Sequence, residues 1–130
     1  MIRRQFIGAL IGAAALALSM GSASAADWKE PFPVKDKVTV VDFGAEWCAS
    51  CPEMAQLMKE MQKEYGDRAA FVVIDIDKYP GIDDKYMIET MPTQMFYDAK
   101  GEPIWIHKGA LDKETLRERV DILIAGPNAK

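Results

Sequence analysis

The chain has 130 residues, with 16 basic and 20 acidic side chains, a net charge of −4 at neutral pH and 49% hydrophobic residues. That length holds one compact domain with a short appendage. An acidic chain without a basic cluster argues against nucleic acid or anionic lipid as a partner. Two cysteines and one histidine are too few ligands for a structural zinc site, so no metal is expected.

Residues 1–26 read as an export signal: Arg3 and Arg4 supply positive charge, an apolar stretch follows over 6–20, and Ala23-Ser24-Ala25 offers small residues for cleavage. The apolar stretch is about 15 residues, short of the roughly 20 that a spanning helix needs. The alternative is an uncleaved anchor. Arg3-Arg4-Gln5-Phe6-Ile7 also resembles a twin-arginine signal. By either the general or the twin-arginine route the expected location is the periplasm. The segment holds two arginines and no acid, so the remainder is more acidic still.

Residues 27–37, with Pro31 and Pro33, form an irregular lead-in. A strand follows over 38–43, a Val, Thr and Phe run interrupted by Asp42. From Ser50 the period becomes helical, with Met54, Leu57, Met58, Met61 and Tyr65 on one face. Ser50 and Glu53 fit a capping box, Pro52 falls in the first turn, and Gly66-Asp67 ends the helix. Residues 69–76 are near-continuously apolar, as in a strand covered on both faces. Tyr79-Pro80-Gly81 is a turn, and a short helical piece spans 82–87. Two strands over 92–97 and 103–107 are joined as a hairpin at Asp98-Ala99-Lys100-Gly101. Asp112 caps a last helix with Leu116, Val120, Leu123 and Ile124 on one face, ended by Gly126-Pro127. This order predicts a mixed sheet covered by helices.

The chemistry centres on Cys48 and Cys51 in Trp47-Cys48-Ala49-Ser50-Cys51-Pro52. Two thiols in this spacing, between an apolar strand and a helix start, can make and break one disulfide. Cys48 sits just before the helix N-terminus, where partial positive charge stabilises a thiolate. A purely structural disulfide closes too short a loop to constrain the unfolded chain much. Half a metal site lacks its other ligands, since His107 is the lone histidine. Met54, Met58 and Met61 read as core at helical spacing, His107 as an exposed strand residue, and Asp83-Asp84 as a solvated face.

The run Val40-Val41-Asp42-Phe43-Gly44-Ala45-Glu46-Trp47-Cys48-Ala49-Ser50-Cys51 resembles the active-site strand and loop of thioredoxins. Met91-Pro92-Thr93 resembles that family's cis-proline loop, and Lys108-Gly109-Ala110-Leu111 with the last helix its C-terminal segment. The resemblance implies an α/β thioredoxin fold: a central mixed sheet of four to five strands flanked by helices, with a shortened N-terminal element. The domain then spans 38–126 and a tail 127–130. The spacing from Cys51 to Pro92 matches the uninterrupted form of the domain.

The resemblance also implies roles. Cys48 is the nucleophile and Cys51 resolves the mixed disulfide. Asp42 is a buried carboxylate that exchanges protons with Cys51, its pKa raised by burial. Pro92 follows a cis peptide, Met91 pairs its backbone with an extended substrate, and Trp47 shields the thiols. Two departures stand out: Val73 occupies the place of a lysine usually near the carboxylate, and Gly44 that of a common tryptophan. The implied function is an exported monomeric thiol–disulfide oxidoreductase that reduces protein disulfides without a dissolved cofactor. Its partners are disulfide-containing proteins and a membrane thiol transporter supplying electrons. The alternatives are a disulfide-forming oxidant or isomerase and a non-catalytic partner-binding module.

Overall fold

The apolar run around Val40 forms β1 (Val38–Gly44), buried along its whole length. The structure, a computed structural model, describes residues 29–127; the export-signal reading and the end of the tail lie outside those residues. The helical period after Ser50 forms α1 (Cys51–Tyr65), which carries the chain across to β2 (Ala69–Asp75), parallel to β1. A short α2 (Ile82–Lys85) precedes β3 (Thr93–Tyr97) and β4 (Pro103–Lys108), and α3 (Lys113–Ala125) closes the domain. The four strands lie in the order β2-β1-β3-β4, with β3 antiparallel to both of its neighbours. The predicted mixed sheet between helices is therefore the observed architecture.

Strand alternation divides the core into two layers. Val38 and Val40 meet Met54, Met58, Met61 and Tyr65 of α1, together with Phe96, Leu116 and Val120. Val41 and Phe43 face the other way, toward Ile74, Ile82, Ile88 and Met95. The three methionines fill the core, each burial worth about 1.5–3 kcal/mol. At the far end, Asp112 caps α3 by accepting from the Thr115 N–H at 3.3 Å.

Four local expectations change. β2 is an edge strand rather than one covered on both faces: Val73 is 44% exposed, and Phe71 and Val72 are half-buried. Continuous hydrophobicity marked proximity to the core, not coverage. The second helix is one turn long, because Tyr86 and Met87 leave the helix and Met87 takes φ 54°. Ile124 is 40% exposed, so the buried stripe of α3 rests on Leu116 and Val120. Ser50 precedes α1 but makes no capping bond, and its backbone at φ −93°, ψ −8° is already helical rather than extended.

The lead-in is irregular, as expected, yet it is firmly anchored. Phe32 is buried against Phe43, Tyr86 and Tyr97, with ring centroids 5.7, 5.6 and 6.1 Å away. Glu30 accepts hydrogen bonds from Lys85 and Tyr86. One aromatic side chain thus plugs the sheet face that no long helix covers among the described residues.

Candidate active site

Cys48 lies in the loop after β1, and Cys51 is the first residue of α1. The loop is folded tightly, the Cys48 N–H donating to Ala45 O at 3.1 Å and the Cys51 N–H to Cys48 O at 3.4 Å. That turn brings the two Cα atoms to 5.4 Å, and the sulfurs form a disulfide. The residues are almost equally buried, 8% and 6% exposed, so Cys51 is barely deeper than Cys48 in this oxidised state. Ser50 Oγ stands 3.8 Å from Cys48 Sγ instead of capping the helix. The first N–H groups of α1 are left without that side-chain partner, and their partial charge favours an anion such as a thiolate.

Asp42, in the middle of β1, is 1% exposed. It shares a cavity of about 170 Å³ with Gly44, Cys51, Ala55 and Val73, so the carboxyl and the second cysteine border the same small space. Val73 pairs with Asp42 in the register of β1 and β2, which puts a methyl-bearing side chain where a cation would offset the charge. Burial pushes the Asp42 carboxyl up to about 6, and a hydrogen bond from Gln94 pulls the other way. Gly44 matters by its missing side chain: a Cβ there would lie 3.1 Å from Cys51 Sγ and 3.2 Å from Cys51 Cβ.

The Met91–Pro92 peptide is cis. Pro92 is buried, and Met91 is half-buried against the cluster that also contains Cys48 and Cys51. Pro92 O accepts from the Gly109 N–H at 2.7 Å, and Gly109 takes φ 97°, a conformation that favours glycine. Trp47 is 67% exposed, its indole N–H donating to Asp77 Oδ2 at 3.1 Å. The fold therefore gathers Cys48, Cys51 and Met91 in one cluster, and Asp42 and Cys51 line one cavity.

Two residues of the site escaped the sequence reading, Asp77 and Gln94. Gln94 is fully buried, and its Nε2 donates to Asp42 Oδ1 at 3.0 Å. The signal that singled out Asp42, a polar residue inside an apolar strand, was equally present at Gln94. Among the described residues no cluster of His, Cys, Asp and Glu fit to hold a metal occurs. Nor is any described helix long and apolar enough to cross a membrane.

The thioredoxin family model matches residues 20–122. Thioredoxin Y1, chloroplastic, of Arabidopsis thaliana is 37% identical over 86 residues, covering 66% of this chain and 49% of that protein. The thiol:disulfide interchange protein TxlA of Synechococcus elongatus is 31% identical over 108 residues, covering 78% and 56% respectively. Among solved structures, the germline-specific thioredoxin Deadhead of Drosophila melanogaster superposes with a TM-score of 0.59 at 31% identity, covering 66% of this chain and 80% of that one. The chain spans about half the length of the curated relatives it matches. Thioredoxin Y1 and three further plant relatives are chloroplastic by name. These plastid relatives contradict the periplasmic location expected from residues 1–26.

Proposed function

The chain belongs to the thioredoxin family, and on that footing we propose that it is a thiol–disulfide oxidoreductase that reduces protein disulfides at Cys48 and Cys51. The observation that carries this reading is the Cys48–Cys51 disulfide at the N-terminus of α1, above a cavity that Cys51 shares with the buried Asp42.

In the reduced protein, the Cys48 thiolate attacks one sulfur of a substrate disulfide and expels the other as a thiolate. The helix N-terminus favours the thiolate by about 0.3–1 kcal/mol, rising to roughly 2 where partly buried. The Cys51 thiol then passes its proton to Asp42 and attacks Cys48. The Cys48–Cys51 bond forms, the mixed disulfide breaks, and the substrate leaves with both electrons. The described state is the product of that turnover. A carboxyl whose pKa sits near neutral pH suits the proton transfer in both directions.

The exposed Trp47 and the half-buried Met91 beside Pro92 form the surface on which an extended substrate segment is held. The uninterrupted passage from α1 to β3 supports the reductant direction. Electrons return from a dithiol donor.

Reduction of insulin disulfides tests the proposal. The unaltered protein turns over with dithiothreitol as donor, Cys48→Ser abolishes turnover, and Cys51→Ser accumulates a mixed disulfide through Cys48. Turnover retained in Cys48→Ser would overturn it.

A further inference from the structure

Gln94 has no apolar reason to sit where it does. It is fully buried in β3, opposite Asp42 of β1 in register, and burying an amide is costly unless its hydrogen bonds are made. One is made, from Nε2 to Asp42 Oδ1. The remaining oxygen of each group, Asp42 Oδ2 and Gln94 Oε1, is buried without a partner. A carboxylate oxygen and an amide oxygen are both acceptors, so what each lacks is a hydrogen-bond donor, and only the carboxylate oxygen can take up a proton.

We propose that Gln94 is a positioning residue for proton exchange between Asp42 and Cys51. Its amide clamps Oδ1 and leaves Oδ2 as the oxygen that gains and loses the proton. The proposal rests on the oxidoreductase reading above and assigns a role within it to a residue outside the dithiol motif. During resolution the Cys51 thiol proton moves to Oδ2. The Cys51 electron pair forms the bond to Cys48, and the substrate thiolate departs. When a donor thiolate attacks Cys48, the S–S electron pair goes to Cys51, which takes the proton back from Oδ2. Throughout, Gln94 supplies the hydrogen bond that holds the carboxylate when it is charged.

The other groups around Asp42 leave this role vacant. On β2 its register partner is Val73. From α1 the cavity receives Cys51, Pro52 and Ala55, and from its rim Glu46 and Asp75, which are acceptors when charged. α3 turns Leu116 and Val120 toward the same core layer. His107 of β4 pairs with Gln94 in register, and its Nε2 lies 3.3 Å from Ala110 O. Gln94 is thus the one hydrogen-bond donor to the Asp42 carboxyl among the described residues.

The test follows the Asp42 carboxyl carbon by NMR in the oxidised full chain over about pH 4–9, beside the rate of disulfide reduction by dithiothreitol. In Gln94→Leu the Asp42 midpoint rises by about one to two pH units, because the buried carboxylate loses its charge-assisted bond, and the rate profile moves with it. Adding Val73→Lys, which sets a cation opposite Asp42, brings both back down. An unmoved midpoint in Gln94→Leu overturns the proposal, as does a midpoint that moves while the rate profile stays. Should Gln94→Leu fail to fold, the unaltered protein decides: the Gln94 side-chain nitrogen signal titrates together with Asp42, and independence of the two overturns the assignment. Absent insulin reduction with these titrations intact would sink the functional reading and leave the Asp42–Gln94 coupling standing.

Discussion

Replacing Asp42 by asparagine should stabilise the oxidised protein at neutral pH while removing the proton acceptor. Burial raises the carboxyl from its ordinary 3.8 to about 6, with desolvation as the leading cause and the Gln94 bond opposing it. A folded-state pKa above the unfolded one means the native protein binds the extra proton between these two values. The Asp42 contribution to stability is therefore fully present below about pH 4 and is lost as pH rises through the window to about 6. At roughly 1.4 kcal/mol per pH unit, the loss amounts to about 3 kcal/mol once Asp42 is ionised. Asparagine has the same shape and no charge to desolvate, and its amide can donate to the orphaned Gln94 Oε1. Asp42→Asn is thus expected to gain about 3 kcal/mol at about pH 8 and almost nothing at about pH 4. Urea unfolding of the oxidised protein at both pH values reads the difference. A gain of equal size at the two pH values, or a loss at the higher one, refutes the reasoning.

Gly44→Ala sets a methyl group against Cys51 Sγ at 3.1 Å, and the reduced thiol can turn aside more easily than the bonded sulfur. Overpacking of about 1–2 kcal/mol against the disulfide would raise the reduction potential by roughly 20–40 mV, measurable in a thiol redox buffer. Phe32→Ala removes the anchor of the lead-in and should cost about 3 kcal/mol or more in denaturant unfolding; a change under about 1 kcal/mol would mean that the lead-in is dispensable. Val73→Lys alone places a cation opposite Asp42, so the Asp42 midpoint, followed by carboxyl NMR, should fall by about one pH unit.

Much of the fold was legible because its signals are local. The Val38 to Phe43 run, the helical spacing from Met54 to Tyr65 and the Asp112 cap each act within a few residues, and the structure keeps all three. The site was legible for the same reason: Cys48 and Cys51 share one turn, and Asp42 announced itself as a carboxylate in an apolar strand. What stayed hidden depends on tertiary neighbours. The same apolar run reads alike at the centre of a sheet and at its edge, so β2 appeared covered when Val73 is largely open. Ser50 had the composition of a cap, but the tight Cys48–Cys51 turn holds its backbone helical. Phe32 in an irregular segment carries no periodicity to betray its burial. Gln94 gains its meaning only from Asp42, which lies across a strand pairing that sequence spacing does not reveal.

The reduction potential of the Cys48–Cys51 pair tests the central claim most directly. Equilibrating the oxidised and reduced full chain against dithiothreitol or glutathione buffers should give a value near or below roughly −250 mV, that of a reductant. A value above roughly −180 mV, in the range of oxidants and isomerases, would contradict the assignment as a protein-disulfide reductase.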